Sequence, residues 1–536
     1  MKITVFIIIF LSAIQIAKSD NYIRTIYIDN GNVFPDSTSN FMSRIINSLH
    51  FPTRPYIIEQ ELLFGVNDIV DEDLLLESER NLRRMNIFTD VDIRLDTVGY
   101  DLVDVYVNTT DKWSTTPALL IGSGGGQTES GFKLEDDNLA GRAYFLSLQA
   151  LKRTENDIGW QGSVFLNKTR FFRQNFDINL SLISHKYKTT QIFGLSKPFR
   201  NLLDAYSWQF KTKNIFGNDF LYNEQLNGQN QAQQLLGIHE QKISAYYSKA
   251  FISDLRSFAT VYIDINSTDR GLPQFRRAFD NTGKFLIEFS SVSEDYFKTN
   301  RLNTYQDEDI MVGGYGSVIL GRTFPIDSTG DKVWYAGARG ERSWVGSNWY
   351  IYTQVGGGSG FDDGFAKYTF QDSKILGFLT LGPKQVIATR FRQQTAWNWP
   401  ADRQLVLDND YGLRGFELNR LAGDSRIQSN LEYRFFPGWK AWVFKVSWAA
   451  FYDMGTTWDQ DFGFENARWY KSAGLGIRFH NEMASGKTNV YRIDFAYNFD
   501  DMKFGGIVFT TGQQFSLFDI HNFRIPDIFG LDFDGE

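Results

Sequence analysis

The strongest constraint on this chain is a period-two alternation that runs from about Trp113 onward. In 444–453, Phe444, Val446, Trp448, Ala450 and Tyr452 fall on one side of an extended strand, and Lys445, Ser447, Ala449, Phe451 and Asp453 on the other. Near 491, Tyr491, Ile493, Phe495 and Tyr497 alternate in the same way with Arg492, Asp494, Ala496 and Asn498. One face is aromatic, and the other carries charges within the strand. That pattern suits a sheet with lipid on one side and a wet lumen on the other. Past the N-terminus no uncharged apolar run approaches the roughly 20 residues of a spanning helix. A membrane-spanning form of this chain is therefore a closed barrel, because only helices and barrels satisfy every backbone group in lipid.

Composition agrees. The chain has 48 Phe, 25 Tyr and 13 Trp, yet its mean hydropathy is −0.32. A barrel needs aromatics outside and at both girdles, with polar residues inside. The 46 Gly suit hairpins and close packing, and the 11 Pro interrupt few ladders. The absence of Cys excludes disulfide staples, thiolate metal sites and a thiol nucleophile. A net charge of −8 without a basic block excludes nucleic acid as a partner. At the start, basic Lys2, an apolar stretch from Ile3 to Ile16 and the small-x-small Ala17-Lys18-Ser19 form an export signal. The expected mature chain starts at Asp20.

Four segments follow: a signal peptide over 1–19, a mixed α+β domain over 20–111, a β-barrel over 112–518 and a tail over 519–536. In the small domain, Ile23 to Ile28 is a strand, 33–50 an insertion with a short helix around Phe41 to Leu49, and Tyr56 to Phe64 a helix stopped by Gly65. Asp71 to Met85 is a second helix, with acids at its start, Arg80, Arg83 and Arg84 near its end, and Leu74, Leu75, Ser78, Leu82 and Met85 on one face. Two strands follow, one around Val91 to Leu95 and one over Leu102 to Val107. At roughly 25 residues per strand plus loop, the barrel region holds about 16 antiparallel strands. Gly/Asp-rich segments such as Gly356 to Gly364 fit long extracellular loops.

Several segments resemble known families. The order strand, helix, helix, strand, strand, with Thr53-Arg54-Pro55-Tyr56-Ile57-Ile58 and Glu77-Ser78-Glu79-Arg80-Asn81-Leu82-Arg83, resembles a POTRA domain, the periplasmic module of outer-membrane assembly and secretion barrels. Tyr411-Gly412-Leu413-Arg414-Gly415-Phe416 resembles the loop tip of the BamA/TamA superfamily, the bacterial surface antigen family. Asn430 to Phe435 and Phe451 to Trp458 resemble the two strands after that tip, and Asp136 to Gly141 resembles the start of the second barrel strand. Phe509 to Phe515 resembles the closing strand, with Gly512 and the final aromatic Phe515 as its assembly signal. The resemblance implies a lumen loop built on Leu413, Arg414, Gly415 and Phe416. A guanidinium in a narrow, partly dry lumen needs a carboxylate. Strand parity turns Asp453 and Glu432 inward, so Arg414 is expected to pair with Asp453, with Glu432 close by; independently solvated lumen charges are the alternative. The chain departs from the family by continuing past Phe515 to Glu536. That tail either folds under the barrel, binds a partner or is a disordered extension.

No chemistry-bearing constellation argues for an enzyme. The five His are scattered, and no His-Glu-x-x-His or Gly-x-Ser-x-Gly occurs. Ser485-Gly486-Lys487-Thr488 imitates a phosphate loop, but position 481 is Asn, and Asp362-Asp363 is a solvated turn. No cofactor is expected. The resemblance implies protein insertion into, or translocation across, the Gram-negative outer membrane, with the small domain in the periplasm. Its implied partners are membrane lipid, unfolded outer-membrane or exported clients, and periplasmic or lipoprotein partners. The expected devices are β-augmentation at Thr89 to Leu95 and a barrel seam between about Thr116 to Gly124 and about Gly506 to Leu517. Gly122, Gly124, Gly125 and Gly126 either loosen that seam or form a hairpin turn. Two other functions stay open: a two-partner-secretion-like transporter, and an accessory or structural barrel or pore.

Overall fold

The computed structural model describes the chain from Asn21 to Leu531, except for residues 35–40, 42–43, 45–46, 49, 125–126, 172–174, 201–203, 222–233, 252–254, 272–276, 301, 306, 400–404, 410–411, 418–419, 442–443, 462, 482–489 and 512–522. The expected export signal, Gly125, Gly126, Tyr411, Gly512, Phe515 and the segment at 485–488 lie outside the described residues, as does most of the expected helix around Phe41 to Leu49. Contacts divide the chain into two units, Met1–Lys112 and Trp113–Glu536.

The first unit contains β1 (Tyr22–Gly31), α1 (Pro55–Glu59), α2 (Glu72–Arg84), β2 (Phe88–Gly99) and β3 (Leu102–Asp111). Its sheet order is β1-β3-β2, with β1 parallel and β2 antiparallel to β3. Strand β2 is therefore an edge. The Asp71 carboxylate caps α2 by accepting from the backbone of Asp73 at 2.9 Å and Leu74 at 3.3 Å. Helix α2 buries Leu75, Ser78 and Leu82. The first helix is shorter than its apolar spacing predicts. Glu61 and Leu62 turn back to Ile58 and Glu59 in tight bonds, and the Leu63 amide goes to the Ser78 hydroxyl at 2.9 Å. Leu62 and Leu63 pack from a turn that a side chain holds, so helical spacing misleads there.

In the second unit, fifteen strands, β4 to β18, run in succession from Thr115 to Trp397. Then β19 (Leu405–Leu407) and β20 (Leu421–Gly423) pair only with each other, and β21 (Ser425–Ala441), β22 (Phe444–Trp458), β23 (Tyr470–Asn481), β24 (Val490–Asn498) and β25 (Lys503–Thr511) follow. Apart from β19 and β20, these strands form one twenty-stranded antiparallel barrel among the described residues. The expectation of about 16 strands is too low because the connections are shorter than assumed. The segment Gly356 to Gly364 shows why. It is no long loop: β16 (Trp349–Asp362) runs through it and pairs Asp362 with Phe365 of β17 (Phe365–Gly382). Asp363 and Gly364 have φ of 48° and 85°, which makes the two-residue primed turn that matches strand twist. Likewise, 136–141 is the end of β5 (Gln127–Asp136) and the turn after it, rather than the start of a strand.

Side-chain parity divides the wall. Phe289 is 61% exposed beside Glu288 at 2%, and Leu475 is 64% exposed while Arg478 is 1%. Large apolar side chains, including Phe132, Trp160, Val318, Leu320 and Leu431, cover the outside. The inside is polar and filled. The barrel closes at a seam between β25 and β4 (Thr115–Gly124) through two residue pairs among the described residues, Gly506 with Gly124 and Ile507 with Ser123. Adjacent β4 and β5, by comparison, pair along their whole length.

Of the expected tail, the described part is 523–531, and it does not lie under the barrel. Residues 523–531 sit inside it, with Ile528 and Phe529 buried among Tyr335, Leu286 and Phe370.

Candidate functional site

The connection between β18 (Gln385–Trp397) and β21 folds into the lumen. β18 and β21 pair directly with each other, so the described residues between Trp399 and Gly423 stand outside the wall ladder. Within it β19 and β20 form a small ribbon, and Leu407, Leu413, Phe416 and Leu421 make a buried cluster against Tyr470. The tip turns through Leu413, whose amide donates to the Asp408 carbonyl at 2.8 Å. Gly415 has φ of 85°, and a Cβ there would stand 3.0 Å from the Ala496 Cβ. Gly505 on β25 allows the same close approach from the other side, since a Cβ there would stand 2.5 Å from the Gly415 carbonyl oxygen. The loop tip thus presses on β24 and β25.

Arg414 is fully buried. Its guanidinium donates to both oxygens of Asp453, from Nε at 2.7 Å and Nη2 at 2.8 Å, in the bidentate geometry that suits a planar fork. Nη1 donates to Glu432 at 2.8 Å and to Asp494 at 3.1 Å. The plane stacks on Phe451, with 3.5 Å from Cζ to the ring centroid. These carboxylates stand on β22, β21 and β24, so one side chain ties three strands together. Asn430 completes the node by donating to the Gly412 carbonyl at 2.6 Å and to Asp453 at 2.7 Å.

The loop tip places Leu413, Arg414, Gly415 and Phe416 beside the inward-facing Asp453 and Glu432, and a wider charge network surrounds them. Arg434 donates to Glu432 at 2.9 Å. Arg478 pairs with Asp494 and stands 3.7 Å from Glu432, and Arg492 is 3.5 Å from Asp494. Four guanidiniums thus surround three carboxylates, all nine-tenths buried or more. Sequence reasoning missed Asp494 as a partner. Its signal was present, because Asp494 shares the inward parity of Arg492. Arg434 and Arg478 share inward parity with Glu432 in the same way.

No family model matches this sequence, and no curated protein matches it. Among solved structures the chain is similar to BamA from Haemophilus ducreyi lacking POTRA domains 1-3, at 12% identity over 92% of this chain and 83% of that one, with a TM-score of 0.37. It is also similar to CdiB from Escherichia coli, at 10% identity over 92% and 76% of the two chains and a TM-score of 0.45. CdiB from Acinetobacter baumannii gives 12% identity over 92% and 73%, with a TM-score of 0.43.

Each acid faces a guanidinium in a buried setting, where breaking a pair costs far more than forming it gains. The arrangement is a latch: it fixes an inserted loop against the last strands before the seam.

Proposed function

We propose that this chain is an outer-membrane factor of the BamA/TamA type that assembles, inserts or translocates other proteins without covalent chemistry. One observation carries the proposal: an Arg-Gly-Phe loop tip lies inside a large antiparallel barrel and is latched by Arg414 to Asp453, Glu432 and Asp494, against strands next to a seam of two residue pairs. A short seam is the place where a client strand can be templated with little ladder to break. Among the described residues the seam pairs at Gly506–Gly124 and Ile507–Ser123, beside a β24–β25 ladder that continues to Thr511.

The first unit is assigned as a POTRA-like module on the periplasmic side. Its edge strand β2, around Thr89 to Leu95, has backbone groups free to add a client strand. Outer-membrane placement follows from the exposed aromatic and aliphatic surface of the barrel and from the export-like N-terminus. A second reading, a two-partner-secretion-like transporter, is favoured by the presence of a chain segment in the lumen, which a passing client would have to displace.

Depleting the protein and quantifying the outer-membrane proteome tests the proposal. Broad loss of other barrel proteins is the expected result. Loss of a single exported client would favour the transporter, and an unchanged proteome would overturn both in favour of an accessory barrel or pore.

A further inference from the structure

The lumen holds a second occupant besides the Arg414 loop. Phe523 lies near the barrel end where β4 begins, its ring 5.0 Å from Phe199 and 5.4 Å from Phe258. From there the tail runs along the inner wall toward the opposite end. Arg524 forms an ion pair with Glu341 at 2.9 Å, and the Asp527 carboxylate accepts from the Lys284 ammonium at 2.8 Å. The Phe529 amide donates to the Tyr335 hydroxyl at 2.8 Å. The Phe529 ring lies on a floor made by Gly337 of β15 (Trp334–Val345) and Gly356 of β16, with the Arg339 guanidinium 4.9 Å above it. Gly530, at a φ of 85°, then turns the chain against Phe370.

Two features separate this segment from the wall. Residues 523–528 carry no strand pairing, so side chains rather than a ladder hold them. The wall charges also match the tail. Lys284 and Lys242 share the fully buried Asp264, at 3.6 Å and 3.1 Å, and Asp527 supplies the second carboxylate. Arg524 and Asp527, about 10 Å apart in extended chain, meet Glu341 and Lys284 in that order.

We propose that this inner-wall surface, built on Lys284, Tyr335, Arg339, Glu341 and the Gly337–Gly356 floor, is a binding site for an extended peptide with a basic residue, an acid three positions later and an aromatic two beyond that. The chain's own residues 523–531 occupy it in cis as a displaceable plug. A peptide held by side chains rather than by strand pairing can leave without unzipping the barrel. Tethering gives the tail an effective concentration of about millimolar, so a free competitor binds well only once the tail is gone or weakened.

The test uses a fluorescent synthetic peptide of residues 523–531 and folded protein in detergent micelles, with folding checked by heat-modifiable migration. The comparison is between the full chain, a chain ending at Asn522, and the full-length double variant Asp527→Lys/Phe529→Ala, which leaves every wall residue intact. The shortened chain and the double variant are expected to bind the peptide at least about 10-fold more tightly than the full chain does. A peptide carrying the same two substitutions is expected to bind none of them. Equal binding by all three proteins, or no binding by either altered one when folded, would overturn the proposal. The readout needs no client, so it succeeds or fails independently of the assembly function.

Discussion

The latch makes a prediction that a double-mutant cycle resolves. Arg414→Ala removes one guanidinium from four and leaves three carboxylates facing three guanidiniums. The loss is not shared equally. Glu432 keeps Arg434 at 2.9 Å and Arg478 at 3.7 Å, and Asp494 keeps Arg478 and Arg492. Among the described residues Asp453 has no second cation and is left with two neutral donors, the Asn430 amide and the backbone amide of residue 414. Removing one partner of a buried pair costs about 3–5 kcal/mol, mostly as the penalty of the abandoned charge. Arg414→Ala should therefore destabilise the barrel by about that amount, and Asp453→Asn in the same chain should recover about 2 kcal/mol of it by neutralising the orphan. Glu432→Gln on the same background should recover nothing, since it strips Arg434 of its own carboxylate. The assay is the midpoint of urea unfolding in liposomes, followed by heat-modifiable migration, for the wild type, the three single variants and the two doubles. If Glu432→Gln rescues as well as Asp453→Asn, the abandoned charge does not sit on Asp453 and the uneven partition is wrong. If neither double differs from the sum of its singles, the carboxylates do not act through Arg414 at all.

Gly415→Val adds side-chain strain at a left-handed φ and a contact with Ala496, and should cost about 1–3 kcal/mol and lower the heat-modification midpoint; an unchanged midpoint would count against close packing of the tip. Because the chain has no Cys, Ser123→Cys/Ile507→Cys should form a single disulfide across the seam. The oxidised barrel should stay folded but lose client handling until reduced, and full activity while locked would exclude the seam from function. Arg420 holds Asp501 on the β24–β25 turn through 2.5 and 2.9 Å hydrogen bonds, which keep that carboxyl below its ordinary value. A depressed carboxyl contributes stability above its unfolded pKa and loses it as pH falls through the folded one, so proteolysis of 398–424 should be flat from neutral pH down to about pH 4 and rise below it. Asp501→Asn should show the raised cleavage already at pH 7, and equal cleavage would remove this anchor from the account.

Alternation carried most of what the sequence showed of the barrel. At 444–453 and 491–498 each residue's side of the wall follows from its position alone, because a strand's period is two and does not depend on neighbours. The inward parity of Asp453 and Glu432 was legible for the same reason, whereas Arg414, outside any strand, was singled out by the resemblance of its loop tip. Other features depend on contacts that local patterns do not encode. The strand count failed at turns like Asp363-Gly364, where two residues do the work assigned to a long loop. Helix α1 ends at Glu59 because the Ser78 hydroxyl, on another helix, takes the Leu63 amide. The tail was illegible because Phe523, Arg524, Asp527 and Phe529 follow no period: each is placed by a partner about two hundred residues or more away on the wall.

The reach of Arg414 across three strands has a consequence for how the barrel is made. A strand that slips by one residue turns its inward carboxylate out to lipid. The loop docks in full only when β21, β22 and β24 are all in register, since a slip in any one of them takes away one of the three carboxylates that Arg414 binds. Docking of a single arginine is thereby coupled to the registration of three of the last strands to be synthesised, beside the seam.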